Sequence, residues 1–155
     1  MLLPCNKYAK EGNYFLGAYW RIADKWRKKL GINVTLGAVD CIPIFCKGEN
    51  NAIVLETEMN KVAGCDIYPH YDPKKVNIIA DGIYAGLMRI HEKFDRIIIL
   101  LNVKLYIEAT KKALLRLPSK IKEKISFHYI YGFPGKFQRE IILKLQHIKQ
   151  LEAKA

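Results

Sequence analysis

The sequence predicts an α/β domain: one unit over residues 1–155, with a central mixed β-sheet flanked by helices. Three observations predict it. A chain of 155 residues fits one core, because folding at this length buries roughly 70% of the unfolded surface. No Ser/Gly linker, internal repeat or low-complexity tract divides it. Stretches with apolar residues at steps of three and four alternate with short β-rich runs, in the order α-β-β-(β)-α-β-α-β-α, which calls for a sheet covered by helices.

Each element has its own signal. Over residues 14–30, Phe15, Tyr19, Ile22, Trp26 and Leu30 form an apolar stripe, and Gly31 stops the helix. Residues 32–46 and 52–59 are β-rich and separated by Lys47-Gly48-Glu49-Asn50-Asn51, whose Gly and Asn tolerate positive φ, so they predict a β-hairpin. Gly64, Pro69 and Pro73 punctuate a loop. A second helix follows, with Val76, Ile79, Ile83, Leu87 and Ile90 on one side, ending near Lys93. Residues 96–102 are an almost unbroken Ile/Leu run bounded by charges, as in a strand buried on both faces. Residues 106–117 read as helix and 125–131 as strand. Phe137, Ile141, Leu145 and Ile148 mark a final helix after Pro134-Gly135.

The charge is lopsided. Twenty-six Lys and Arg against fifteen Asp and Glu give a net +11, which favours a polyanionic partner, nucleic acid before anionic membrane. No apolar run approaches the ~20 residues that span a bilayer, and the N-terminus lacks the order of a signal peptide. The expectation is a soluble, cytoplasmic protein with no membrane partner. Cys5, Cys41, Cys46 and Cys65 show no C-x-x-C spacing and read as buried free thiols in a reducing compartment. The four histidines have no ligand-like spacing.

The hairpin carries the candidate chemistry. Alternate strand residues share a face, so Glu56 and Glu58 point the same way, and a turn near Gly48 or Glu49 sets Asp40 opposite one of them. Three carboxylates at cross-strand distance repel unless a cation compensates. Mg²⁺ (or Mn²⁺) suits oxygen ligands, leaves positions for water and phosphate, and neutralises charge in phosphodiester hydrolysis. The alternative for the same residues is a solvated hairpin face. Asp66 and Asp72 in the following loop are further metal candidates.

An N-terminal helix, Val39-Asp40, the step to Glu56-Thr57-Glu58, the Val76 helix and the strand at 96–101 together resemble the PD-(D/E)XK, restriction-endonuclease-like phosphodiesterase superfamily over roughly residues 8–102. The resemblance implies a metal-dependent nuclease, with Asp40 and Glu56 as metal ligands. It puts Glu58 where most members carry a catalytic lysine, a Glu-x-Glu variant in which Glu58 joins the metal site. It leaves Lys61 to supply an ammonium and Glu11 as an acid on the first helix. Leu3-Pro4-Cys5 and Tyr68-Pro69-His70-Tyr71-Asp72-Pro73 resemble, more weakly, a domain attached to archaeal tRNA-guanine modification enzymes, which implies a tRNA-modification accessory.

Two basic groups are candidates for phosphate contacts: Arg21, Lys25, Lys28 and Lys29 on the first helix, and Lys111, Lys112 and Arg116 on the third. The sequence thus predicts a Mg²⁺-dependent nuclease acting on nucleic acid, DNA preferred. The alternative is a non-catalytic nucleic-acid-binding protein on the same fold. The last helix is the candidate contact for a homodimer.

Overall fold

The computed structural model describes residues 1–4, 16–39, 53–55, 71–131 and 134–154, with the backbone alone for 53–55. Among these, β1 (Leu2–Pro4), β2 (Gly37–Val39), β3 (Ile53–Leu55), β4 (Ile97–Leu101) and β5 (Ile125–Tyr129) form one five-stranded sheet in the order β3-β2-β1-β4-β5. The helices are α1 (Ala18–Leu30), α2 (Pro73–Ile90), α3 (Lys104–Arg116), the single turn α4 (Ser119–Lys122) and α5 (Pro134–Lys154). This is an α/β domain as expected, but every strand pair is parallel, so the mixed sheet is corrected.

The hairpin is corrected with it. Gly37 pairs with Ile53, Ala38 with Val54 and Val39 with Leu55, all in one direction. A parallel pair needs a crossover of about a dozen residues or more, and residues 40–52 supply that length. Burial shows why the strand pattern misled. Gly37, Ala38 and Val39 are all buried, whereas a hairpin with one wet face would alternate. The Gly48 and Asn50 turn signals fall outside the described residues.

Alternate strand residues feed two cores. Leu3, Ala38 and Leu100 pack with Trp20 and Ala23 of α1 and Phe137, Ile141 and Leu145 of α5. Leu2, Val39, Ile97, Ile99 and Leu101 pack with the α2 stripe and with Leu105, Ala109 and Ala113 of α3. Helices therefore cover both faces, α1 and α5 on one and α2 and α3 on the other, in a doubly wound arrangement. The apolar stripe of α5, expected at a dimer contact, faces this core.

Local chemistry sets the helix ends. Gly31 closes α1 at φ 64, a left-handed conformation that glycine adopts without a Cβ penalty, and its N–H reaches the Arg27 and Lys28 carbonyls. Asp72 caps α2 by accepting from the Lys74 N–H at 3.0 Å, and Pro73 occupies the first helical position. Within α1 the deepest residues are Trp20, Ala23 and Arg27, one position off the expected stripe, whose Tyr19, Ile22, Trp26 and Leu30 flank them half-buried. Arg27 is 8% exposed; it pairs with Asp24 at 2.6 Å and donates to the Val34 carbonyl at 2.7 Å. Burial alone would raise the Asp24 pKa, but hydrogen bonds from Lys28 and Arg27 outweigh it and hold the carboxyl below its ordinary value.

Candidate functional site

In an open, parallel α/β sheet, ligands bind beyond the carboxyl ends of the strands, where neighbouring strands send their connections to opposite faces. Here that point lies between β1, which leads to α1 on one face, and β4, which leads to α3 on the other. Asn102 follows β4 there. Its Nδ2 donates to the Tyr19 hydroxyl at 3.1 Å, while its Oδ1 is buried with no hydrogen-bond partner among the described residues. The Tyr19 ring packs edge-on against Phe137, with centroids 4.6 Å apart, so α1, α5 and the end of β4 fix one another at this corner.

Lys104 opens α3 two residues later. No acidic side chain occupies the first turn of α3, and Val103 provides no side-chain cap, so its own residues leave the positive end of this helix uncompensated. The Lys104 ammonium makes no ion pair among the described residues and lies 4.3 Å above the ring of Tyr71, which precedes the cap of α2 and is 43% exposed. Lys104 and the exposed Tyr71 thus meet at the carboxyl edge, where Asn102 ties the end of β4 to α1. The ammonium and the helix end can attract an anion; among the described residues they form no general acid–base pair. Sequence reasoning missed Asn102 and Lys104. The available signal was their position at the junction between a buried strand and a helix.

Asp40, Glu56, Glu58, Lys61 and Glu11 lie outside the described residues, as do the four cysteines, Asp66 and His70. Asp72 is engaged as the cap of α2. Among the described residues no group of three His, Cys, Asp or Glu side chains is placed to hold a metal ion. What the structure removes is the antiparallel geometry that set Asp40 across from Glu56 or Glu58. What it shows is that the strand residues preceding Asp40 and Glu56, Val39 and Leu55, are paired neighbours.

The two basic groups are on opposite faces of the sheet, because α1 packs on one side and α3 on the other. On α1, Arg21 and Lys25 are exposed, Lys28 pairs with Asp24 at 2.9 Å, and Lys29 lies over the Trp26 ring. On α3, Lys112 donates to Asn77 at 2.8 Å, and Arg116 pairs with Asp81 while its guanidinium lies 4.4 Å from the Tyr84 ring centroid. Both therefore tie α3 to α2. Lys111 bonds Glu108 at 3.3 Å and covers the Tyr129 ring.

The amino edge of the sheet carries a cavity of about 700 Å³, lined among others by Thr35, Phe94, Arg96 and Leu151. Its charges are mixed, Lys93 and Arg96 against Asp95 and Glu152, and it lies at the end of the strands opposite to where this architecture binds ligands. There the Met1 α-amine donates to the Thr35 carbonyl at 2.8 Å. Burial, and then the charge of Arg27, push its pKa down to about 5. No helix among the described residues is long and apolar enough to cross a membrane. No protein-family model, no curated protein and no solved structure matches this chain.

Proposed function

We propose that this domain binds nucleic acid across the carboxyl edge of its sheet. The observation that carries the reading is Lys104: an ammonium without a carboxylate partner among the described residues, at the open N-terminus of α3, beside an exposed tyrosine, on a chain of net charge +11. Lys104 and the helix end supply phosphate contacts. The expected result is an affinity that falls steeply with log salt, about 0.9 unit per contacted phosphate on duplex DNA. Lys104→Gln should weaken binding and lower that slope by about 1. An affinity indifferent to salt, or a slope unchanged in the variant, would overturn the reading.

The paired ends of β2 and β3 favour a second reading, in which the bound strand is also cleaved. The chain enters Asp40 from Val39 and Glu56 from Leu55, neighbours in register, which supports a shared Mg²⁺ site for these two carboxylates even though the strands are parallel rather than a hairpin. Glu58, Lys61 and Glu11 would complete that site. Glu56→Ala should then abolish Mg²⁺-dependent cleavage while leaving affinity equal or higher, since a negative charge near the phosphate is removed. Cleavage by the variant at the wild-type rate would exclude the assignment, and a wild type that binds but cuts no DNA or RNA would leave the binding function alone.

A further inference from the structure

Among the described residues β5 pairs with β4 alone and so forms an edge of the sheet. On its α3 side it carries rings at every second position: Phe127, Tyr129 and, just beyond the strand, Tyr131. Phe127 is anchored against the core. The ring centroids step 5.4 Å to Tyr129 and 5.6 Å on to Tyr131, and exposure rises along the series to 41% at Tyr129 and 53% at Tyr131. Lys111 lies 4.5 Å above the Tyr129 ring. Glu108, the acid beside these rings, accepts from both Lys111 and the Tyr131 hydroxyl at 3.3 Å, which positions the two groups and partly offsets its own charge. Lys104 lies seven residues before Lys111, two turns along the same side of α3, and carries the stripe to Tyr71 at the carboxyl edge.

We infer that this stripe of rings and lysines binds single-stranded nucleic acid, with unstacked bases lying on Tyr129 and Tyr131 and phosphates meeting Lys111 and Lys104. The inference rests on the nucleic-acid reading above and names its ligand class. Rings that lead outward from an anchored neighbour offer π-faces at little entropic cost, and each base has a π-face to match. A duplex hides those faces in its own stack, so only an unpaired strand uses them. Charge disfavours the simplest competitor: a second copy of a chain at +11 would bring like charge to a surface that already carries Lys104 and Lys111.

The test measures binding of the full chain to a fluorescent oligothymidylate, an oligouridylate of the same length, and the corresponding DNA and RNA duplexes. The variants are Tyr129→Ala, Tyr131→Ala and Tyr131→Phe. Wild type should favour the single strands, and the two sugars tell DNA from RNA. Each alanine variant should bind them about tenfold more weakly, equal to about 1.4 kcal/mol, with duplex affinity little changed. Tyr131→Phe, which keeps the ring, should retain wild-type affinity. Both positions are largely exposed, and unchanged thermal melting of Tyr131→Ala confirms the fold. Alanine variants that bind single strands like wild type, or lose single-strand and duplex affinity alike, would overturn the inference and leave the nucleic-acid reading standing. Wild type binding none of the probes would overturn both. A dimer that Tyr131→Ala dissociates would assign the stripe to a second copy instead.

Discussion

Replacing Phe137 with alanine is expected to cost about 3–5 kcal/mol of stability, read as a lower urea midpoint at unchanged slope. Phe137 is fully buried in the core between the sheet, α1 and α5, where it packs with Leu3, Leu36 and Leu100. Removing the ring forfeits its transfer free energy and leaves a cavity that a parallel sheet backed by two helices cannot readily close. The effect reaches the carboxyl edge as well. The Tyr19 ring leans on Phe137, and its hydroxyl accepts from Asn102, so nucleic-acid affinity should also fall in protein that is still folded. A loss below about 1 kcal/mol would contradict the packing described.

Asp24→Asn is expected to destabilise the fold by about 2 kcal/mol at neutral pH, because it withdraws the counter-charge from Arg27, a guanidinium that is almost wholly buried. The figure lies below that for a fully buried pair, since the Asp24 side chain is 23% exposed. The pH dependence has a definite sign. The Asp24 carboxyl has its folded pKa below the unfolded value, so its contribution is present above the unfolded pKa and is lost as pH falls through the folded one. The gap between wild type and variant should be widest near neutrality and close in acid. A gap that holds constant into acid would mean that Arg27 is stabilised by the Val34 carbonyl and its packing rather than by Asp24.

The elements that the sequence made legible are those whose burial leaves a periodic mark. The α2 stripe from Val76 to Ile90 and the Ile/Leu run of β4 are buried as their patterns required, and Gly31 ends α1 in the left-handed conformation. Strand β1 was not legible, because three residues ending in Pro4 show no period and a proline argues against a central strand. The direction of β2 against β3 was not legible either. Short apolar strands look alike whether the chain returns by a turn or a crossover, and a Gly/Asn-rich segment favours the turn reading. The corner formed by Tyr19 and Asn102 joins residues far apart in sequence, so no local spacing reports it.

The order β3-β2-β1-β4-β5 puts the first strand of the chain at the middle of the sheet. Leu2 pairs with Gly37 on one side and with Ile99 on the other. On a ribosome, then, Leu2–Pro4 emerges with one edge that β2 can match early and another that stays open until Ile97–Leu101 has been made. The half-sheet formed in the meantime exposes backbone N–H and C=O groups of a buried apolar strand, the kind of edge that recruits other chains. The lysine-rich helix α1 is synthesised between β1 and β2, and its charges accompany that open edge throughout, so they serve the nascent chain as a repellent to other copies of itself.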